Sequence, residues 1–93
     1  MTFKKNISIN GLSYTVEAPS KKKEHSKYDV YLGSRYLLSF GDNRYQQFKD
    51  KFGYYANLDH GDQTRRLNYR LRHRKDKINN PYYPGYWSYR YLW

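Results

Sequence analysis

The densest grouping of reactive side chains lies between residues 59 and 76, where six cations, three carboxylates and two histidines share eighteen positions. Arg65, Arg66, Arg70, Arg72, Arg74 and Lys75 fall within about three helical turns. Guanidinium forks at that density suit phosphate oxygens and the guanine edge, which they grip through two parallel N–H donors. At about 100° per residue, Arg65 and Arg72 lie together opposite the apolar side. Arg70 and Arg74 flank that side, and Arg66 stands apart. The plainer alternative is a solvated cationic helix whose arginines pair with Asp59, Asp62 and Asp76.

A second face of the same segment brings Asp62, Arg66, Tyr69 and His73 close to Asp59 and His60. Acid, base, phenol and imidazole on one side predict a hydrogen-bonded network in which Asp59 and Asp62 hold Arg66 and His73. The functional alternative is a phosphate site, or a metal held by Asp59, His60, Asp62 and His73. Zinc needs three or four closely spaced ligands. With no cysteine, only three histidines and no His-Glu-x-x-His spacing, neither a metal nor another cofactor is expected. A metal-dependent nuclease using His60 as general base is the best enzymatic reading and the weakest of those considered. No glycine-rich phosphate loop or nucleophile elbow is present, so the chain is expected not to be an enzyme.

Two further regions carry binding chemistry. Lys21, Lys22 and Lys23 form a basic run suited to phosphate or an acidic protein face, or simply a solvated loop. The C-terminal stretch carries Tyr86, Trp87, Tyr89, Tyr91 and Trp93 around Arg90. Such rings stack on bases, pack at protein interfaces, or complete a core short of aliphatic residues.

These groups need elements to position them. Ile7 and Ile9, then Leu12, Tyr14 and Val16, alternate about Asn10-Gly11, which predicts a β-hairpin over 6–17. Residues 18–27 read as a basic loop or mobile arm, and 28–41 as a second hairpin turning at Gly33-Ser34. From Asp42 the period changes. Tyr45, Phe48 and Phe52 predict a short helix over 43–51, capped by Asp42 and ended by Gly53. A connector over 54–61 leads to a longer helix over 63–75 capped by Asp62, with Thr64, Leu67, Leu71 and Ile78 as its packing stripe. A loop over 79–85 precedes an aromatic segment of one or two helical turns. The expected fold is α+β, a single domain over 1–93. It has a small antiparallel sheet of hairpins, two or three helices within a Tyr/Arg-rich part over 42–93, and an aromatic C-terminal segment.

Composition narrows the partners. In 93 residues, 18 Lys and Arg stand against 8 Asp and Glu, a formal charge of +10. So strong a positive field favours polyanions or acidic protein surfaces. No apolar run reaches the roughly 20 residues of a membrane span, and the start at Met1-Thr2-Phe3-Lys4-Lys5 lacks a signal-peptide core. An intracellular, non-secreted setting follows as an expectation.

Phe40-Gly41, Tyr45, Lys49-Asp50-Lys51, Leu58-Asp59-His60, Asp62, Arg65-Arg66, Tyr69, Arg72-His73 and Tyr91-Leu92-Trp93 form an ordered pattern. It resembles a family of short uncharacterised proteins encoded by large DNA viruses of algae and protists and by some phages. The likeness covers about residues 40–93 and the lead-in strand at 28–32, leaving the first hairpin and the Lys21–Lys23 arm outside it. That family carries no assigned activity. The resemblance implies a viral setting: a non-enzymatic minor capsid or virion-associated structural protein, made in host cytoplasm or nucleus before assembly. Its expected partners are capsid or other virion proteins, with nucleic acid a further candidate. The alternative is a stand-alone nucleic-acid-binding protein of replication, packaging or transcription control.

Overall fold

The computed structural model describes residues 2–93. Over the span expected to be one domain, the chain forms two compact units, Met1–Asn43 and Arg44–Trp93. The architecture is α+β as expected, a four-stranded antiparallel sheet followed by two helices.

The first unit is a meander of β1 (Phe3–Ile9), β2 (Leu12–Ala18), β3 (Ser26–Leu32) and β4 (Arg35–Asp42), paired in chain order. Ile9 pairs with Leu12 across Asn10-Gly11, whose φ angles of 52° and 79° are both positive. A two-residue turn whose twist matches the strands requires that geometry, and Asn-Gly adopts it at little cost. The second hairpin turns at Gly33-Ser34 with Leu32 opposite Arg35, as expected. Both hairpins outrun their predicted bounds, and Ser26 and Lys27 belong to β3 and not to the loop. Residues directly opposite share a face. The register therefore gathers Tyr14, Val16, Ala18, Tyr28, Val30, Leu38 and Phe40 on one buried face. Tyr28 and Phe40 stack at 5.2 Å within it. A bulge at Val30/Tyr31 leaves Leu37 without a strand partner and sets Tyr31 opposite Tyr36.

The second unit departs from expectation at its start. No helix forms over 43–51: Asp42 ends β4 opposite Ser26 instead of capping one, and Gly53 sits in a turn. The reason is polar. Gln47 and Asp50 are 0% and 3% exposed, and buried polar groups must be satisfied. Asp50 accepts hydrogen bonds from the Phe52 and Tyr55 amides. The Gln47 amide donates to Leu58, and the Gln47 carbonyl accepts from His60, forming a parallel bridge between Gln47 and Asp59. Those backbone groups are committed away from helix. A 3₁₀ turn at Ala56–Leu58 follows.

Helix α1 (Gln63–Arg72) begins where Asp62 predicts, its carboxylate accepting from the Thr64 and Arg65 amides, and ends three residues earlier than expected. The predicted packing stripe is not what packs: Leu67 and Leu71 are 57% and 52% exposed. The half-buried positions are Arg66, Tyr69, Arg70 and His73. An aromatic partner explains this choice, since Tyr69 stacks on Trp93 at 4.3 Å with planes 6° apart. Helix α2 (Pro84–Tyr91) starts two residues inside the predicted loop, with Pro84 in the first turn, where a missing N–H costs nothing. Trp87 and Leu92 are fully buried. The Lys49 and Lys51 amides donate to the carbonyls of Leu92 and Tyr91, binding the aromatic segment to its own unit. Among the described residues no helix is long and apolar enough to cross a membrane.

Candidate nucleic-acid interface

The carboxylates define the electrostatics by what they do. Four of the eight are occupied by backbone amides. Asp29 accepts from Lys21 and Lys22, Asp50 from Phe52 and Tyr55, Asp59 from Asp50, and Asp62 from Thr64 and Arg65. Among the described residues, Asp29, Asp59 and Asp62 form no ion pair with Lys or Arg. Much of the negative charge thus serves structure, and cations stay unneutralised at the surface.

The arginines of α1 divide into two sets. Arg65 is exposed and donates to Gln46 Oε1 at 3.0 Å. Arg72, Arg74 and Lys75 are exposed and, among the described residues, form no hydrogen bond or ion pair through their side chains. Arg66 and Arg70 turn inward instead. Both donate from Nε to the main-chain oxygen of Trp93, at 2.7 and 3.2 Å, and Arg70 adds a bond from Nη2 at 3.1 Å. Their guanidiniums lie over the Phe48 and Tyr89 rings at 4.7 and 4.3 Å. Among the described residues, the expected pairing of the arginines with Asp59, Asp62 and Asp76 does not occur. Arg66 is a structural clamp, and the exposed cations of the segment are Arg65, Arg72, Arg74 and Lys75.

The predicted network of Asp59, His60, Asp62, Arg66, Tyr69 and His73 is dispersed. Asp59 binds Gln47 Nε2 at 2.6 Å, and His73 Nδ1 meets Asp76 at 2.6 Å instead of Asp59 or Asp62. His60 accepts the Asp62 amide on Nδ1 at 2.9 Å, so its proton sits on Nε2, which is buried without a partner. Burial, reinforced by the Arg65 charge, holds this imidazole below its ordinary pKa of 6.5. With one nitrogen bonded and the other buried, His60 is not placed to act as a general base. Among the described residues no three of His, Cys, Asp and Glu come together as a metal-binding group. What joins the segment is aromatic: His60 and Tyr69 both contact Trp93, and Tyr69 also contacts His73.

The basic run of the first unit, expected as a loop or mobile arm, is a loop anchored to the sheet. Asp29, 1% exposed, lies on the sheet face opposite the apolar one. It accepts Ser20 Oγ at 2.5 Å, Ser39 Oγ at 2.6 Å, and the Lys21 and Lys22 amides at 2.8 and 3.3 Å. Ser20 Oγ in turn accepts the Lys23 amide. The backbone is fixed from below while all three lysines stand exposed.

Of the roles open to the aromatic segment, completing the core is the one its inner rings take. Trp87 is interior, its Nε1 donating to the Pro81 carbonyl at 2.9 Å, and Tyr86 is 9% exposed. Tyr91 stacks with Phe52 at 4.5 Å and with Trp87 at 5.7 Å, and Trp93 lies on Tyr69. Tyr89 is half-buried beneath Arg70. Sequence reasoning missed the open groove of about 430 Å³ that these residues create: Lys51, Arg70, Tyr86, Tyr89, Arg90 and Tyr91 line it. Arg90 lies over the Tyr86 ring at 4.5 Å. Lys51 and Arg90 are far apart along the chain, and the bond from the Lys51 amide to the Tyr91 carbonyl brings them together.

No family model matches the chain, and neither the curated proteins nor the solved structures include a significant match.

Proposed function

We propose that this chain is a non-catalytic, virion-associated binding protein that contacts nucleic acid through surface cations of both units. The observation that supports the contact is the unequal use of charge. Four carboxylates are occupied by backbone amides, while Lys21, Lys22, Lys23, Arg65, Arg72, Arg74 and Lys75 stand exposed. A polyanion that meets exposed cations of either unit releases condensed counterions, and affinity then follows salt. The virion setting rests on the resemblance of residues 40–93 to viral proteins. Stoichiometric recovery with purified particles supports that setting, whereas recovery only from infected-cell nucleic acid supports a stand-alone binding protein.

The test of the contact is affinity for duplex DNA across a salt series, in the wild type and in Arg65→Ala/Arg72→Ala. Both side chains are exposed, so the fold is retained. The expected result is a log–log salt slope of several units that falls by about two in the double variant, roughly one per lost phosphate contact. A shallow slope unchanged in the variant overturns the reading.

A further inference from the structure

The groove lined by Lys51, Arg70, Arg90 and three tyrosines combines three cations with no Asp or Glu side chain. Both arginines are held in place. Arg70 is fixed by the Tyr89 ring and by two bonds to the Trp93 oxygen, Arg90 by the Tyr86 ring and by Asn79 Oδ1 at 3.3 Å. A guanidinium has five N–H donors. Arg70 commits two of them and Arg90 one, so most remain for an anion. Fixing the planes in advance removes much of the side-chain ordering cost of binding.

The rings decide which part of a nucleic acid enters. Tyr91 has Phe52 and Trp87 stacked against it, Tyr89 carries Arg70, and Tyr86 is buried beneath Arg90. Each of the three rings thus already has a neighbouring side chain over it, which leaves less ring surface for a base to stack on. What the groove presents is cationic N–H groups and phenol edges. Its volume of about 430 Å³ falls in the range of small-ligand clefts.

The geometry points to a phosphate subsite: Lys51, Arg70 and Arg90 grip the phosphodiester backbone of nucleic acid without reading its bases. This rests on the nucleic-acid reading above and specifies its chemistry. Phosphate contacts of this kind position a strand and carry no sequence information.

The test compares oligothymidylate with an abasic sugar–phosphate oligomer of equal length, by fluorescence anisotropy at about 50 mM salt. It uses the wild type, Lys51→Ala, Arg90→Ala and the Arg65→Ala/Arg72→Ala variant. Lys51 and Arg90 are exposed, and far-UV circular dichroism verifies that each variant folds. The expected result is near-equal affinity for the two oligomers. Lys51→Ala and Arg90→Ala should weaken both by the same factor and each lower the salt slope by about one. A loss on the order of tenfold per removed base marks base stacking and overturns the phosphate subsite. If only the Arg65/Arg72 variant weakens binding, the groove is wrong and the broader reading stands. If the wild type binds neither oligomer, both fall. Preference for phosphatidylglycerol vesicles, lost in the same groove variants, moves the ligand to a lipid headgroup and overturns the proposal.

Discussion

In the first unit the backbone pairs with itself strand by strand, and the buried carboxylate of Asp29 fastens a loop, and the Ser39 hydroxyl of β4, onto a sheet that β-pairing already defines. In Arg44–Trp93 the relation is reversed. Residues 44–62 lack a strand or α-helix, and Gln47, Asp50 and Asp59 hold their backbone directly through side-chain hydrogen bonds. Aromatic stacking on Trp93, Tyr91 and Trp87 supplies much of the packing there. One unit is organised by periodic pairing and the other by individual polar and aromatic contacts, and the two respond differently to substitution.

The largest effect is expected at Asp29. Asp29→Ala leaves the Ser20 and Ser39 hydroxyls and the Lys21 and Lys22 amides without their acceptor. Unpaired donors cost about 1–3 kcal/mol each when buried. Since the loop can open to water, the expected loss is about 2–4 kcal/mol in chemical denaturation. The strand signal should persist, and proteolysis should appear first at Lys21–Lys23. Loss of the whole sheet would mean that the carboxylate organises this unit as well, erasing the contrast.

A smaller effect, confined to the second unit, concerns His60. Its folded pKa lies below the ordinary 6.5 because of burial, with Arg65 adding to the shift. As pH falls through about 6.5, the unfolded chain takes up a proton that the folded chain resists, and stability drops. Protonating Nδ1 would also break its bond from the Asp62 amide at the start of α1. The midpoint of thermal unfolding should therefore fall on acidification below that value, and His60→Gln should flatten the dependence. An unchanged slope in His60→Gln would assign the acid sensitivity elsewhere.

The smallest effect sharpens the comparison from the other side. Leu67→Ser with Leu71→Ser removes the aliphatic residues of α1, yet both are more than half exposed. Exposed substitutions generally fall within about 0.5 kcal/mol, and little change in the denaturation midpoint is expected. A loss of several kcal/mol would restore the leucines as the packing face.

The hairpins were legible because side-chain alternation and the Asn10-Gly11 turn act locally, and α1 announced its start through Asp62. The segment over 43–51 misled because Tyr45, Phe48 and Phe52 have helical spacing while Gln47 and Asp50, between them, are the residues that become buried. Burial of a polar side chain depends on partners such as Tyr55 and Asp59, which no local pattern reveals. The site divides along the same line. Exposed Arg65, Arg72 and Lys21–Lys23 could be read from charge alone, whereas Lys51 and Arg90 acquire a shared role only through the bond between residues 51 and 91.

By itself the sequence determined the charge of +10, the hairpin turns and the cap of α1, since each depends on residue type or on neighbours a few positions away. Tertiary structure alone decided which face of α1 packs, which arginines are anchored on Trp93, and which rings are covered by neighbouring side chains. Those outcomes follow from contacts such as Arg66 and Arg70 on Trp93, across 27 and 23 residues of chain.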